Sequence, residues 1–211
     1  QDNIQDPLGM FGTRLEAEVH IITTEETAIR NVLMCFQRMN LEVNAIFLQN
    51  IADAKAVLSE DEKELGVLLL DIGAQTTNVS VYYKQAPSYT TVFQKMGGDQ
   101  ITFDLSKGFG IPLGTAEKLK CEVGIADYEC TNELEKIQIP AVGGRAAKIH
   151  KRSEVVDYIQ PRLLEIFGTI RENLKNNDLL DCINGGVVIT GGTALLPGIE
   201  SVAQQVFGVA V

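Results

Sequence analysis

Histidine is scarce, with only His20 and His150, and the four cysteines, Cys35, Cys121, Cys130 and Cys182, form no Cys-x-x-Cys pair. The spacing of zinc ligands is therefore missing, and no zinc site is expected. Positive charge is also in short supply: 18 Lys and Arg stand against 28 Asp and Glu, a net charge of −10. A nucleic-acid binder needs a basic face to displace counterions from phosphates, so that partner class is set aside. No uncharged apolar run approaches the roughly 20 residues of a membrane-spanning helix, and no targeting segment is visible. Scattered cysteines in such a chain read as buried, reduced thiols of a cytosolic protein.

What is present is an ordinary globular composition, 45% apolar and 22% charged. A chain of 211 residues buries about 70% of its unfolded surface and needs neither metal nor disulfide to fold. Gln1 at one end, and at the other residues 206–211, which read as a helix passing into an unpaired strand, suggest an internal piece of a longer protein.

Along the chain, residues 14–23 alternate apolar and polar side chains, with Leu15, Ala17, Val19 and Ile21 on one face, as in a half-buried strand. Thr23-Thr24-Glu25-Glu26 fits a capping box, and Ile29, Val32, Leu33, Phe36 and Met39 follow at helical spacing. Residues 41–48 return to strand. Residues 51–59 read as a short helix, and the charged stretch 60–64 as a connector at a domain boundary. Residues 67–70 are a continuous apolar run, as in a strand buried on both faces. Strands are predicted near 77–83, 89–95, 137–140 and 147–150, the last two around Gly143-Gly144. Helices are predicted near 99–109 with Asp99 as N-cap, 115–123, 153–176 with Ser153 as cap and Pro161 kinking or dividing it, and 198–207.

Two glycine loops carry the chemistry. The run from Asp71 through Gly73, Ala74 and Gln75 to Thr76 follows a buried strand and leads into another strand, 77–83. Backbone amides of such a turn can face a phosphate, and glycine permits close approach. Asp71 could hold Mg²⁺ through water, since that ion keeps part of its hydration shell. Walker-type and dinucleotide loops pass into a helix instead. The second loop, Gly191-Gly192-Thr193-Ala194, lies between a buried strand and a helix, where an adenosine could lie flat on the backbone. Between the loops, Glu117 and Lys120 share one helix face. The carboxylate could accept from ribose hydroxyls while the lysine stem covers the base. Each feature also has a plain alternative: a glycine hairpin, a tight connection, a solvated ion pair. Their joint occurrence, in this order, favours a nucleotide.

Several segments together resemble the bacterial cell-division family FtsA. They are residues 7–15 leading to Val19-His20-Ile21-Ile22-Thr23, the stretch 58–66, Gly97-Gly98-Asp99-Gln100-Ile101-Thr102, and Ile139-Pro140-Ala141-Val142-Gly143-Gly144-Arg145 followed by Ile159-Gln160-Pro161-Arg162. The resemblance implies an α/β, actin-like (ribonuclease H-like) nucleotide-binding half. On this division 1–50 belong to a small α+β domain, 51–65 connect, 66–96 plus 163–211 form the second nucleotide-binding subdomain, and 97–162 form a lid-like subdomain. It implies ATP and Mg²⁺ as ligands, head-to-tail filaments, and other division proteins bound through the small domain. It places the protein at the division septum, on the cytoplasmic side of the membrane, held by a C-terminal amphipathic helix absent here. Ala74-Gln75 departs from the family's glycine run and is nearer the pilus-assembly protein PilM.

Positive charge gathers at Arg145, Lys148, His150, Lys151 and Arg152 and, one helix on, at Arg162. Such a patch attracts acidic ligands; it is equally the make-up of a solvated hairpin rim. The resemblance implies that this region receives the acidic, apolar C-terminal tail of the tubulin-like FtsZ, with Arg145, Lys148, Arg152 and Arg162 as contacts. The expected function is therefore a non-catalytic, ATP-binding scaffold. A PilM-like pilus-assembly scaffold and a small-molecule kinase of the same clan are the alternatives.

Overall fold

The computed structural model describes residues 4, 8–17, 19–132, 134–139 and 147–211. The chain begins with α1 (Glu26–Arg38), α2 (Gln49–Val57) and α3 (Glu60–Leu65). Then come β1 (Val67–Ile72), β2 (Thr76–Tyr83) and β3 (Ala86–Gln94), followed by α4 (Gly98–Phe109) and α5 (Leu113–Val123). A small hairpin, β4 (Lys136–Ile139) with β5 (Lys148–Lys151), precedes the long α6 (Ser153–Asn176). β6 (Val187–Thr190) and α7 (Ile199–Phe207) close it.

Four strands form one sheet in the order β3-β2-β1-β6, with β1 antiparallel to β2 and parallel to β6. β1 is buried at every residue because both faces of the sheet are covered. Leu68, Leu70 and Ile72 point into the larger core with α4, α5, α6 and α7. Val67 and Leu69 point the other way, against Ala54 of α2 and Leu58 just after it. The two-residue alternation of a strand thus sends Asp71 to the α2 face. α6 supplies the spine of the large core, with Ile159, Leu163, Ile166, Phe167 and Ile170 all buried. Burial of each such side chain is worth about 1.5–3 kcal/mol.

Several expectations are corrected. Residues 14–17, 19–23 and 41–48 form no strand, and α1 has no buried residue. The alternation is present, yet Leu15, Val19 and Ile21 are 77%, 70% and 77% exposed, with no opposing surface among the described residues to reward pairing. Glu25, not a threonine, precedes α1, and it makes no side-chain cap bond. A capping box forms instead at Ser59 and Glu62, which turns the charged stretch 60–64 into α3. α4 starts one residue earlier than predicted, so Asp99 is not its cap. Ser153 is the first residue of α6, behind Arg152, and Glu154 reaches back to the Lys151 amide at 2.9 Å. Pro161 lies inside α6 without dividing it. Residues 209–211 are not a strand: Gly208 ends α7 in the left-handed region, and the Ala210 carbonyl accepts from the Val187 amide at 2.8 Å. Cys35, Cys121 and Cys130 are exposed, and only Cys182, half-buried, packs against the large core. Among the described residues no helix is long and apolar enough to cross a membrane.

Candidate functional site

β1 and β6 run side by side with Asp71 opposite Thr190, so the loops that follow them leave the sheet at the same edge. The first is a tight turn closed by the Gly73 amide donating to the Thr76 carbonyl at 2.9 Å. Its carbonyls face α4: Gly73 accepts from the Gly98 amide at 2.9 Å and Ala74 from the Asp99 amide at 2.7 Å. The amides of Ala74 and Gln75 donate to no acceptor among the described residues. Carbonyls turned inward and amides left outward are what a phosphate-facing turn requires. Gly97 makes the approach possible, because a Cβ there would sit 2.6 Å from the Ala74 carbonyl oxygen.

The second loop docks on the first. Gly191 has φ +90°, and a Cβ on it would meet Asp71 Oδ1 at 2.5 Å and the Ile72 carbonyl at 2.6 Å. Its glycine serves contact with β1 rather than with a flat-lying ligand. Gly192 stands open, with nothing within 4 Å of a Cβ, and is the residue a base could approach. The buried Thr193 hydroxyl donates to the Gly73 carbonyl at 3.3 Å.

A cleft of about 350 Å³ lies between the loops and α5. Gly73, Ala74, Glu117, Lys120, Gly192 and Thr193 all line it, with Gly98, Cys121 and the 195–197 corner completing the wall. Lys120 does not point freely into this space: Nζ donates to the Gly98 carbonyl at 3.0 Å and to Thr102 at 2.9 Å, and pairs with Glu117 at 2.7 Å. Glu117 also accepts from the Thr102 hydroxyl and, at 3.5 Å, from the Cys121 thiol. Burial pushes the Glu117 carboxyl up, but the bonds from Lys120 and Thr102, the Lys120 charge and the Cys121 contact outweigh it and hold the pKa below its ordinary value. Cys121 moves the opposite way: burial, then the bond and charge of Glu117, raise its pKa.

Asp71, Gln75, Thr76, Gly191 and Ala194 do not line this cleft. Gln75 and Thr76 belong to the turn itself, and Ala194 is half-buried in the single turn of 3₁₀ helix after Gly191. Asp71 is buried on the α2 face, where its Oδ2 accepts from Gln49 Nε2 at 2.5 Å and Asn78 Nδ2 at 3.0 Å. Its Oδ1 lies under Gly191, 2.5 Å from where a Cβ on that glycine would sit. Asp53 of α2 faces it; burial first, then the Asp71 charge and a shared hydrogen bond, raise the Asp53 pKa. Gln49, Asp53 and Asn78 are additions that the linear sequence gave no signal for. Thr102 was visible only as part of the Gly97–Thr102 segment.

The basic cluster is not a uniform patch. Arg145, with the Gly143-Gly144 turn, lies outside the described residues. Lys148 is exposed on β5. Arg152 is committed to Glu135, both of whose oxygens sit 3.0 Å from Nη1, and to the Val123 carbonyl at 3.1 Å. Arg162 forks onto Asp104 of α4 at 2.6 and 3.0 Å and reaches Glu165 at 2.5 Å. Two of the four expected contacts therefore already have carboxylate partners within the chain. A groove of about 470 Å³ runs beside Arg162, lined by Asp104, Lys107, Asp157, Tyr158 and Pro161 among others.

Comparison with known proteins supplies the family. A model described as "Cell division protein FtsA" matches residues 68–211, more than half of the chain, and one described as "SHS2 domain inserted in FTSA" matches residues 1–23. The chain is 39% identical to the cell division protein FtsA of Neisseria meningitidis over 212 aligned positions, covering 100% of this chain and 51% of that relative. Against the FtsA of Bacillus subtilis it is 37% identical, covering 98% of this chain and 46% of that one. The chain thus spans about half the length of the curated relatives it matches. Among solved structures, MreB5 of Spiroplasma citri bound to AMPPNP superposes with a TM-score of 0.73 at 20% identity, covering 89% of this chain and 59% of that one. The PilM-PilN type IV pilus biogenesis complex follows with 0.65 at 20% identity, covering 86% and 46%. These last likenesses establish an actin-like fold, and the chain itself belongs to the FtsA cell-division family.

Proposed function

We propose that this chain contributes one wall of an ATP–Mg²⁺ site in an actin-like scaffold, which polymerises head to tail and ties the FtsZ ring to the cytoplasmic face of the membrane at the septum. The observation that carries the nucleotide part is the shared cleft. The Ala74 amide meets the phosphates, Glu117 accepts from the ribose, and Gly192 admits the base. Asp71, at the end of the strand beneath the turn, is the carboxylate that would hold a hydrated Mg²⁺, whose charge would offset that of the phosphates. The test is a titration with a fluorescent ATP analogue, on a chain extended to the full length of the curated relatives. Glu117→Ala should weaken binding roughly tenfold, the loss of a hydrogen bond to a charged group. Equal binding by the variant and its parent would overturn the assignment.

The FtsZ tail is assigned to the lid face around β5 and the α4/α6 groove, with other division proteins meeting the small domain. Lys148 is the cation to test, because it is exposed and bonded to no carboxylate among the described residues. Lys148→Glu should weaken an FtsZ tail peptide by a few-fold, more at low salt than at high. Unchanged affinity at low salt would remove it from the site. Arg162→Glu is a poor probe: it sets a carboxylate against Asp104 and should cost about 1–2 kcal/mol of stability, partly screened by solvent. The swap Arg162→Asp with Asp104→Arg should recover most of that loss in a thermal melt.

A further inference from the structure

Thr102 touches none of the space a nucleotide would fill, yet it is bonded to both residues that the ribose side of the cleft depends on. It is buried on α4, with its hydroxyl against Glu117 Oε2, 2.9 Å from Lys120 Nζ and 3.0 Å from the Gly98 carbonyl. A hydroxyl has one proton and here two acceptors. The charged acceptor makes the stronger bond, and the Gly98 carbonyl is already supplied by Lys120 at 3.0 Å. The proton therefore goes to Glu117, while the oxygen accepts from Lys120. Glu117 Oε2 is then held from two sides, by Thr102 and by Lys120 at 2.7 Å. Among the described residues Oε1 accepts only the weak Cys121 thiol bond at 3.5 Å, and both Glu117 and Cys121 line the cleft.

We infer that Thr102 is a positioning residue for nucleotide binding: it fixes the Glu117 carboxylate so that Oε1 meets the ribose hydroxyls. The inference rests on the nucleotide reading above. Without the hydroxyl, Glu117 keeps its lysine but gains a rotamer in which Oε1 turns to solvent, and ordering it again on binding lowers affinity.

The test uses the full-length chain and three proteins: the parent, Thr102→Val, which keeps the shape and removes the hydroxyl, and Thr102→Ser, which restores it. Each is titrated with ATP and with 2′,3′-dideoxy-ATP. The expected result is a loss of roughly five- to tenfold for ATP in Thr102→Val, the scale of one hydrogen bond to a charged group. Thr102→Ser should bind within twofold of the parent. The valine effect should largely vanish with the dideoxy nucleotide, which has no hydroxyl for Glu117 to accept from. A valine loss equal for both nucleotides would overturn the inference, since it would mark a general loosening of the α4–α5 contact. So would an unchanged ATP affinity in Thr102→Val. Failure of the parent to bind ATP at all is a separate result, which overturns the nucleotide reading and this inference with it.

Discussion

The helices α1 and α6 have similar apolar patterning and opposite fates. Both place large aliphatic and aromatic side chains at three- and four-residue spacing, but α6 buries Ile159, Leu163, Phe167 and Ile170, whereas nothing on α1 is buried. The difference lies in what faces them. α6 packs on α7 and on a sheet that is itself covered on both faces; α1 lines, with the strandless residues 41–47, an open apolar groove of about 770 Å³. An amphipathic stripe states that a helix wants a partner surface. It does not supply one, and stability follows the partner.

That contrast can be broken most directly by truncation. Phe167→Ala in α6 should cost about 3–5 kcal/mol, because a cavity opens in a filled core. Phe36→Ala in α1 should cost about 0.5 kcal/mol or less, as at an exposed site. Urea melts of the two variants measure both, and equal losses would erase the distinction.

Within the well-packed region, the turns should prove less forgiving than their exposure suggests. Gly191→Ala combines a positive φ with a Cβ 2.5 Å from Asp71 Oδ1. A loss of about 1–3 kcal/mol is expected from strain alone. Gly192→Ala, one residue on and open on all sides, should change stability far less. If the two melt alike, the close docking of β6's loop on β1 is wrong.

The smallest effect concerns the carboxyl pair under the sheet edge. The folded-state pKa of Asp53 is raised, by burial first and then by Asp71. At pH values below its unfolded pKa the group is protonated in both states and costs nothing. As pH rises through the folded pKa, the folded chain must carry an ill-placed charge, so stability falls across that window. Asp53→Asn should therefore melt higher than the parent near neutral pH, with the gap closing under acid conditions. A gap that widens on acidification would contradict the raised pKa.

The region where α6 sits was also the region the sequence made legible, and for the same reason. The continuous run 67–70, the alternation after Thr76 and the helical spacing after Ser153 each report burial that the tertiary structure supplies. The two glycine loops were readable because turns that reverse a chain at a sheet edge demand particular residues. What could not be read was pairing across the fold. Nothing in the linear order connects Arg162 to Asp104, Gln49 to Asp71, or Thr102 to Glu117, since those partners are set by how helices lie on a sheet. The basic cluster shows the cost of this. Counted along the chain it is a patch, but in space Arg152 and Arg162 are tied to carboxylates on other elements. The strand predictions failed at 14–17, 19–23 and 41–48 for the complementary reason, a correct period without an opposing surface among the described residues.

The bare stripe on α1 bears on how copies of the chain behave in concentrated solution. With ten net negative charges, long-range repulsion keeps molecules apart, but Val32, Phe36 and their neighbours offer a sticky spot at contact range. Added salt shortens the repulsion to about 8–10 Å and leaves the stickiness untouched. The second virial coefficient from light scattering should accordingly change sign from positive to negative as salt is raised, well before any helix melts.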